Sequence, residues 1–597
     1  METDPDLFSN RPFSSRKPLY EWAEVADYWP KRLLHIPSMT SVEREGFSCY
    51  GTVERPEYSI LTYTWGRWRI RSGPPGPSLP VKGTPWRIPA VHPDHFTVES
   101  FEKVIKRLGQ SGNEWAWVDI ACIHQEDAAE NAEEVGRQAS IFKNAKDVFV
   151  WLSHLDTNVL QEAVNNIIEY GVDFGEFVSM GGMSIGKLVD PNIPMELAHT
   201  ASPRSLAEAV SAMVAGFETI FADPWFSSLW TLQEVVLRND SLVLTKQADL
   251  IVWTENKYYM FLTMFINHCT NIYDDILLFK KNISIHDWHI SEDEKISYDA
   301  KLKDVQEKLD RIIEMINHAG FYYLHSLNPN VQYGTARYRK TSRLLDRVYA
   351  ITQVYNIRVG KSIRPQENPT LDELKDEFAR AIINRCPIMG QLFLHTGKPE
   401  DGKSWRITED SFVPRPMLMY QEPKPNCKFE FGSDGSVKVR GGVCSYPKLY
   451  DALKFKMSAE HRVFLDRGFM EKTGGDCVGD SMTVSSLHKT LDKMPPRLVS
   501  TYVGQRDIWL LHLGSRRGSK IPGTGKYFPC NIGLLLCRSE WGTQAGGLDT
   551  AFQRIGIFIW ECRDNSGGLA PQDRESSDMN KEKSSEVDWI EKEVLLH

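Results

Sequence analysis

The residue that most strongly suggests chemistry is Glu234, in the segment WFSSLWTLQEVVL. It follows Trp230 by four residues and Phe226 by eight, so helix geometry would place the three side chains on nearly the same face. Asp223 followed by Pro224 predicts the start of this helix. A carboxylate beside a core-facing stripe loses hydration, which raises its pKa and suits it to general-base or ion-pairing work. The alternative is a structural glutamate paired with an arginine or a backbone amide.

Further polar and aromatic residues lie at the ends of two short apolar runs, YSILTYTW and WAWVDIACI. Those at the end of the first are Tyr63, Trp65 and Gly66, and those at the end of the second are Asp119, Cys122, His124 and Gln125. Asp119 could anchor a loop by accepting backbone N–H bonds or could contact a ligand. Trp65 with Gly66 could belong to a site or only to a tight turn. Cys122 beside His124 suggests a thiolate–imidazole pair, although a buried cysteine is usually a small apolar residue.

These residues must be positioned by elements that alternate between strands and helices. YSILTYTW, WAWVDIACI and DVFVWLS predict three buried strands. Between them, Phe101, Val104, Ile105 and Leu108 follow helical spacing, and residues 128–144 form a second, more polar helix pattern. This order predicts an α/β fold with a doubly wound parallel sheet of the flavodoxin-like or Rossmann-like type. Ligands bind such sheets outside the carboxyl ends of the strands, so the candidate residues are expected to converge there.

The length of 597 residues predicts two or three domains. The predicted parts are a lead-in segment packed on the core (1–57), an α/β domain (58–353) with insertions at 154–222 and 255–320, a smaller α+β domain (361–565) and a mostly disordered acidic tail (566–597). In the α+β domain, KFEFGSDGSVKVRG predicts a hairpin with Asp434 and Gly435 in its turn. The tail has too few apolar residues to fold, apart from a short helix expected in VDWIEKEVLL.

Charge, hydropathy and cysteine spacing narrow the classes of function. The chain has 70 Lys and Arg against 79 Asp and Glu and no long basic run, which disfavours nucleic-acid binding. No apolar run approaches the roughly 20 residues needed to span a bilayer, and the N-terminus has no targeting pattern, so a cytoplasmic protein without a membrane span is expected. The ten cysteines form no CxxC pair, so no metal site is expected.

The chain resembles the heterokaryon-incompatibility domain of fungal self/non-self recognition proteins. Three blocks carry this resemblance: Leu61–Gly66 (LTYTWG), Trp117–Gln125 (WVDIACIHQ) and Trp230–Glu234 (WTLQE). Thr62 and His124 depart from the family pattern, in which serine and asparagine are usual. The resemblance implies a protein that acts with a protein partner or by self-association, and that triggers growth arrest or programmed cell death when incompatible hyphae fuse.

The third block also looks like a helix segment of Toll/interleukin-receptor-type domains, whose glutamate serves NAD cleavage in their enzymatic members. By this likeness Glu234 would be catalytic and would stabilise the ribosyl centre or orient its hydroxyls, while Trp65 or Trp230 would stack on a ring. NAD would be a substrate, and no other cofactor is implied. The remaining candidates for contacts with NAD are Tyr63, Gly66, Asp119, Cys122 and Gln125.

Two other functions remain open. A non-enzymatic adaptor could use the same domain for self-association, with the WTLQE helix as a packing or interface element. A serine hydrolase could use Ser184 of the segment GMSIG (182–186), which fits the pattern G-x-S-x-G. However, Asp190 and Pro191 would end the helix that this motif requires.

Overall fold

The computed structural model describes most of the chain. The described residues are 28–71, 77–180, 194–195, 204–238, 240–253, 258–285, 292–418, 423–432, 435–453, 461–469, 482–492, 508–520, 527–538, 551–561 and 589–596. The chain divides into two compact units. The first consists of Met1–His325 and Thr335–Pro369, and the second of Ser326–Gly334 and Thr370–His597.

Strands and helices are numbered in chain order. The described strands are β1 (Arg32–His35), β2 (Thr40–Glu45), β3 (Cys49–Tyr50), β4 (Val53–Glu54), β5 (Tyr58–Thr62), β6 (Trp115–Trp117), β7 (Asp147–Trp151), β8 (Pro194–Met195), β9 (Arg204–Ser205), β10 (Leu242–Leu244), β11 (Leu394–His395), β12 (Ser411–Phe412), β13 (Lys424–Pro425), β14 (Cys427–Phe431), β15 (Val437–Ser445), β16 (His461–Leu465), β17 (Ile508–Lys520), β18 (Tyr527–Arg538), β19 (Ala551–Glu561) and β20 (Ile590–Leu596). The described α-helices are α1 (Val98–Gly109), α2 (Asp119–Cys122), α3 (Ala128–Val135), α4 (Gln138–Asn144), α5 (Thr157–Met180), α6 (Leu206–Phe221), α7 (Leu229–Leu237), α8 (Leu262–Ile285), α9 (Glu292–Ala319), α10 (Asn330–Thr335), α11 (Asp346–Thr352), α12 (Leu371–Arg385), α13 (Tyr446–Leu453) and α14 (Val484–Asp492).

An eight-stranded sheet organises the first unit, in the order β10-β7-β5-β6-β1-β2-β3-β4. Its first four strands are parallel to one another, and β1 joins β6 in antiparallel orientation. Every residue of β5, β6 and β7 is buried, as expected for parallel strands that are covered on both faces. Together with the helices between the strands, this confirms the predicted α/β class.

The order of the parallel strands defines where a crevice can form. The chain runs from β5 to β6 on one side of the sheet, and β7 and β10 lie on the other side of β5. The direction of strand addition therefore reverses between β5 and β7, at the edge where both strands have their carboxyl ends. Residues before Tyr58 supply β1 to β4, so the N-terminal segment extends this sheet beyond β6.

Helix α1 has the buried face that the spacing of its apolar residues predicts. Its buried face consists of the four apolar residues expected from their spacing, Phe101, Val104, Ile105 and Leu108. The Thr97 side chain accepts a hydrogen bond from the Ser100 backbone and caps the first turn. The helix predicted over 128–144 is instead divided into α3 and α4, at Gly136 and Arg137. A Cβ at Gly136 would lie 2.8 Å from the Cβ of Ser362, so the chain approaches too closely there for another residue.

Two further boundaries differ from the sequence prediction. The strand predicted from WAWVDIACI ends at Trp117, and α2 starts at Asp119. The helix predicted from Asp223 is interrupted, because a short 3-10 helix (Pro224–Ser227) is followed by the extended residue Ser228 before α7 begins. As a consequence, Glu234 and Trp230 share one helix, but Phe226 does not belong to it.

The predicted insertions of the first unit are largely helical in their described parts. Helices α5 and α6 lie in the first insertion, and α8 and α9 lie in the second. Gly171 and Gly175 allow α5 to approach α8, since a Cβ at these positions would lie 2.7 Å from His268 Nε2 and 2.8 Å from Asp275 Oδ2. Among the described residues, no helix combines the length and the apolar character that crossing a membrane would require.

The second unit is rich in β-structure. Its main sheet has the order β13-β17-β18-β19-β20-β15-β14, and β16 pairs with β19 beside this path. An additional pairing between β17 and β15 closes the five strands from β17 to β15 into a ring. The predicted hairpin is confirmed, because β14 and β15 pair in antiparallel register, with Gly435 at positive φ in the connection. The segment expected to form a helix near the C-terminus is instead strand β20. It pairs with β15 in antiparallel and with β19 in parallel orientation.

Candidate functional site

Asp119 lies at the start of α2, directly after the carboxyl end of β6. The Trp65 indole Nε1 donates a 2.6 Å hydrogen bond to its Oδ2, and the Ile120 backbone N–H donates a 2.7 Å bond to its Oδ1. The Tyr63 hydroxyl lies near the same carboxylate, at a geometry looser than a standard hydrogen bond. Burial raises the pKa of Asp119, and these donors oppose the rise. Asp119 therefore fixes the loop after β5, whatever else it contacts.

Glu234 lies on α7, on the side that meets the end of β5. The residue is partly exposed, yet its Oε2 atom is buried and has no hydrogen-bond partner among the described residues. The pKa of Glu234 is raised to about 8, because burial and the charge of Asp119 raise it by more than a hydrogen bond from the Thr62 hydroxyl lowers it. Glu234 is thus held mostly in its neutral form at pH 7, beside a second carboxyl group.

Helix α7 is positioned by contacts with β5 and with a buried arginine. Trp225 Nε1 donates a 2.9 Å hydrogen bond to Thr62 Oγ1, which ties the turn before α7 to the last residue of β5. Arg339 is buried and donates to the carbonyl oxygens of Trp225 (3.0 Å) and Ser228 (3.2 Å). These bonds satisfy carbonyl groups between the 3-10 helix and α7, so the register of Glu234 against β5 is set by residues far apart in the sequence.

The other candidate residues have mainly local partners. Trp230 Nε1 donates a 3.1 Å hydrogen bond to Asp346 Oδ2 on α11. Gln125 Nε2 donates to the carbonyl oxygens of Asp119 (3.2 Å) and Ile123 (2.8 Å), which closes the loop after α2. Gly66 begins a 3-10 helix (Gly66–Trp68) and faces open space. The structure brings Glu234, Asp119, Tyr63 and Trp65 together, and it places Gly66 and Gln125 in the adjoining loops.

Cys122 and His124 do not form a reactive pair. Cys122 is buried, its Sγ accepts from the Val118 backbone N–H at 3.4 Å, and burial raises the pKa of its thiol to about 12. His124 Nδ1 accepts from the backbone N–H groups of Glu126 (3.2 Å) and Asp127 (2.9 Å). The cysteine is therefore part of the core and the histidine stabilises a turn.

A pair of histidines at the same edge of the sheet was not singled out from the sequence. His95 is buried, and its Nδ1 lies 2.7 Å from Nε2 of His154, which follows the carboxyl end of β7. His95 Nε2 contacts the carbonyl oxygen of Thr64. Its ring stacks on Trp68, with centroids 3.8 Å apart and planes inclined by 5°. Burial lowers the pKa of His95 to about 4, so it is neutral.

Asp223, which sequence analysis recognised only as a helix cap, bonds to the backbone of His154. It accepts from the backbone N–H groups of Trp225 (2.9 Å) and His154 (3.0 Å), and burial raises its pKa to about 6. The rule that selected Asp119, a polar residue just after a predicted strand, would also have selected His154. His95 offered no such signal, because it comes from the loop before α1.

A cavity of about 410 Å³ lies elsewhere in the first unit, between α5 and α8. Gly171, Gly175, His268 and Asp275 are among its lining residues, and none of the candidate residues is. Among the described residues, no three His, Cys, Asp or Glu side chains are grouped to hold a metal ion. The segment 182–186, with Ser184 of the possible hydrolase motif, lies outside the described residues. We therefore place the candidate site at the carboxyl ends of β5, β6 and β7.

A comparison with protein families finds a match within the first unit. Residues 58–234 match the family model described as heterokaryon incompatibility protein (HET). The match begins at the first residue of β5 and ends at Glu234, so it includes every candidate residue described above. It confirms the resemblance inferred from the three sequence blocks. No curated protein and no solved structure matches the chain.

Proposed function

Residues 58–234 form a heterokaryon-incompatibility domain, and from this premise we propose that the chain acts in fungal non-self recognition and triggers cell death by cleaving NAD. The observation that carries the chemical part is Glu234, whose buried Oε2 has no partner beside Asp119, at the edge where α/β sheets bind ligands. A desolvated carboxyl group in a crevice is typical of an active site.

The positive charge of NAD would favour the ionised form of the Glu234 carboxyl group. The nicotinamide ring of NAD carries a positive charge, and a cation near Glu234 lowers the pKa of its carboxyl group and favours the ionised form. The carboxylate then stabilises the oxocarbenium-like ribosyl centre, or orients the 2′ and 3′ hydroxyls, as the bond to nicotinamide breaks. The leaving nicotinamide takes the electron pair of that bond. Water adds to the ribosyl carbon, and a proton is released with ADP-ribose.

The neighbouring residues suit contacts with the substrate. The indole N–H of Trp65 donates a hydrogen bond to Asp119, and the side chain is partly exposed. A face of its ring can therefore stack on a base or on nicotinamide. Gly66 is exposed and leaves room beside it. Tyr63 and Gln125 hold the two loops on either side. Trp230, which is tied to Asp346, and Cys122, in the core, would contribute through packing.

The strand order supports the same proposal. We propose that the strands in the order β6-β5-β7-β10 form the core of a flavodoxin-like sheet, a type in which a ligand binds where strand addition reverses. Toll/interleukin-receptor-type domains belong to this type of fold. On this proposal, Glu234 of the WTLQE block has the role of the glutamate that serves NAD cleavage in their enzymatic members.

The test compares NAD levels in expressing cells, and NAD consumption by purified protein, for wild type, Glu234→Gln and the control Glu162→Gln, an exposed glutamate on α5. We expect wild type and the control to consume NAD and kill cells, and Glu234→Gln to do neither while melting cooperatively. If purified wild type leaves NAD intact while cells still die, the glycohydrolase proposal is wrong.

A non-enzymatic, self-associating signalling module is the second candidate. Exposed apolar side chains on α5 and α8 favour it: Val172, Leu277 and Leu278 are 48%, 44% and 42% exposed. Apolar groups of this size at a surface are typical of protein contacts when they are contiguous. This candidate predicts that Glu234→Gln still kills cells, and that sedimentation detects concentration-dependent association that Leu277→Lys abolishes.

A further inference from the structure

Arg67 presents an uncompensated positive charge at the edge where the strand order reverses. It follows the carboxyl end of β5 and is exposed. One terminal nitrogen, Nη2, donates to the Pro224 carbonyl oxygen (3.1 Å) and to Ser227 Oγ (3.2 Å), and the guanidinium lies 5.0 Å from the centre of the Trp68 ring. Among the described residues, no carboxylate forms an ion pair with it. Its Nε and Nη1 donors therefore remain available in a fixed orientation.

His154 presents a ring nitrogen at the same place. A carbonyl oxygen only accepts hydrogen bonds, so the contact of His95 Nε2 with the Thr64 carbonyl places the proton of neutral His95 on Nε2. His95 Nδ1 is then an acceptor, and it must receive the Nε2 proton of His154 across 2.7 Å. In neutral His154 the remaining nitrogen, Nδ1, carries a lone pair, and it has no hydrogen-bond partner in the described part of the chain.

His154 and Arg67 both form hydrogen bonds with the turn at Asp223 and Pro224. The backbone N–H of His154 donates to Asp223 Oδ2 (3.0 Å), and Arg67 donates to the carbonyl oxygen of the next residue, Pro224. Lys246, exposed after β10, is close enough to lower the pKa of His154 through its charge. The only carboxylate among these groups, Asp223, is buried and bonded to two backbone N–H groups. The exposed charged groups at this turn, Arg67 and Lys246, are therefore basic.

We infer that Arg67, His154 and Lys246 bind the diphosphate group of a dinucleotide. The Nε and Nη1 donors of Arg67 match two phosphate oxygens, and Lys246 and, once protonated, His154 add positive charge. The inference rests on the proposed function, since NAD is the dinucleotide concerned. It adds a place for the diphosphate at the β5–β7 edge, next to the carboxyl groups proposed for the ribose and nicotinamide.

Protonation of His154 is part of this site. An anion cannot approach the Nδ1 lone pair, so binding requires that Nδ1 take up a proton. Affinity for a diphosphate should therefore rise as the pH falls through the pKa of His154, which burial and Lys246 hold below its usual value. The groups that face His154 are neutral His95, the buried carboxylate of Asp223, Lys246 and, across the turn, Arg67.

The experiment is calorimetric titration of the purified full chain with ADP-ribose and, separately, with inorganic pyrophosphate. The variants are Arg67→Gln, Lys246→Gln, Glu234→Gln and Arg69→Gln, the last being a matched control because Arg69 is exposed two residues away. We expect ADP-ribose to bind wild type and Arg69→Gln equally, and pyrophosphate to bind Glu234→Gln as it binds wild type, because pyrophosphate lacks the ribose that Glu234 is proposed to contact. ADP-ribose should bind Arg67→Gln about tenfold more weakly, as for a lost charge-assisted hydrogen bond. Lys246→Gln should also weaken binding.

Several results would overturn the inference. These are equal affinity of Arg67→Gln and Arg69→Gln, no binding to wild type, or binding of pyrophosphate without binding of ADP-ribose. Thermal melting of each variant separates lost binding from lost folding. ADP-ribose binding that depends on Arg67 without NAD cleavage would remove the glycohydrolase proposal and keep this site. NAD cleavage with no effect of Arg67→Gln on binding would remove this site and keep the glycohydrolase.

Discussion

The indole nitrogen of Trp65 donates a 2.6 Å hydrogen bond to the carboxylate of Asp119. This bond joins the loops that follow two neighbouring parallel strands, β5 and β6, and it gives a buried carboxylate one of its few donors. The same carboxylate raises the pKa of Glu234 through its charge. This hydrogen bond therefore joins the two loops and also holds the carboxylate whose charge raises the pKa of Glu234.

Replacing Trp65 with phenylalanine tests this link. The change removes the donor and keeps an aromatic ring, so the buried carboxylate of Asp119 loses a partner and we expect stability to fall by about 1–3 kcal/mol. Urea unfolding measures the loss. Trp68→Phe is the control, because the Trp68 indole N–H forms no hydrogen bond within the described residues. Equal losses for the two variants would contradict the role assigned to the bond.

The dependence of stability on pH tests the state of Glu234. Its pKa is about 8 in the folded protein and about 4.5 in the unfolded chain. The folded state therefore binds the extra proton between these values, and the contribution of Glu234 to stability is present below pH 4.5 and lost as the pH rises through 8. Glu134 and Asp223, with pKa values raised to about 7 and 6, change stability in the same direction.

The variant Glu234→Gln isolates the contribution of Glu234 to the pH dependence of stability, since glutamine does not titrate. We expect the melting temperature of the variant to approach that of wild type near pH 5 and to exceed it increasingly from pH 6 to 9. Differential scanning calorimetry across this range measures the difference. A constant difference between the two proteins would show that Glu234 titrates normally.

Cys122 should be unreactive toward alkylating reagents in the folded protein. Its thiol is buried and its pKa is raised to about 12, so iodoacetamide at pH 7.5 should not alkylate it in the folded protein, whereas partly exposed Cys49 should react. Mass spectrometry of peptides gives both extents. Cys122→Ala should cost about 1 kcal/mol of stability and leave NAD consumption unchanged. Rapid alkylation of Cys122 would contradict this prediction and support the hypothesis of a thiolate–imidazole pair with His124.

Arg339 should be essential for the position of α7. Its guanidinium satisfies carbonyl groups of Trp225 and Ser228, so Arg339→Met leaves buried acceptors without donors and should cost about 3 kcal/mol. Exposed Arg343→Met is the control. Hydrogen exchange should show faster exchange in α7 for the first variant only. Unchanged protection of α7 would mean that other contacts position this helix.

Strand β20 should be necessary for the second unit. Val594 is buried between β15 and its neighbours, so Val594→Asp places an unpaired charge in the sheet and should cost about 3 kcal/mol or more. The exposed neighbouring position, in Glu591→Gln, should have little effect. Limited proteolysis reports the integrity of this unit. If both variants resist proteolysis like wild type, β20 contributes little to stability.

Local sequence pattern determined the elements whose burial is periodic or continuous. The run YSILT forms β5 and DVFVW forms β7, because a continuous apolar run suits a strand covered on both faces. The four apolar residues of α1 form its buried face, because their helical spacing places them on one side of the helix. The family resemblance was also accessible from the three sequence blocks, and two of these blocks contain Asp119 and Glu234.

Tertiary structure decided what depends on partners far along the chain. The residues VDWIEKEVLL fit a helix by local propensity, but Ile590–Leu596 becomes a strand because β15 and β19 offer backbone groups to pair with. The pairing of His95 with His154 and the contact of Arg67 with Pro224 arise only when β5 and β7 become neighbours. The pKa of Glu234 likewise depends on the water that the fold excludes and on the charge of Asp119, and neither can be read from the residues around position 234.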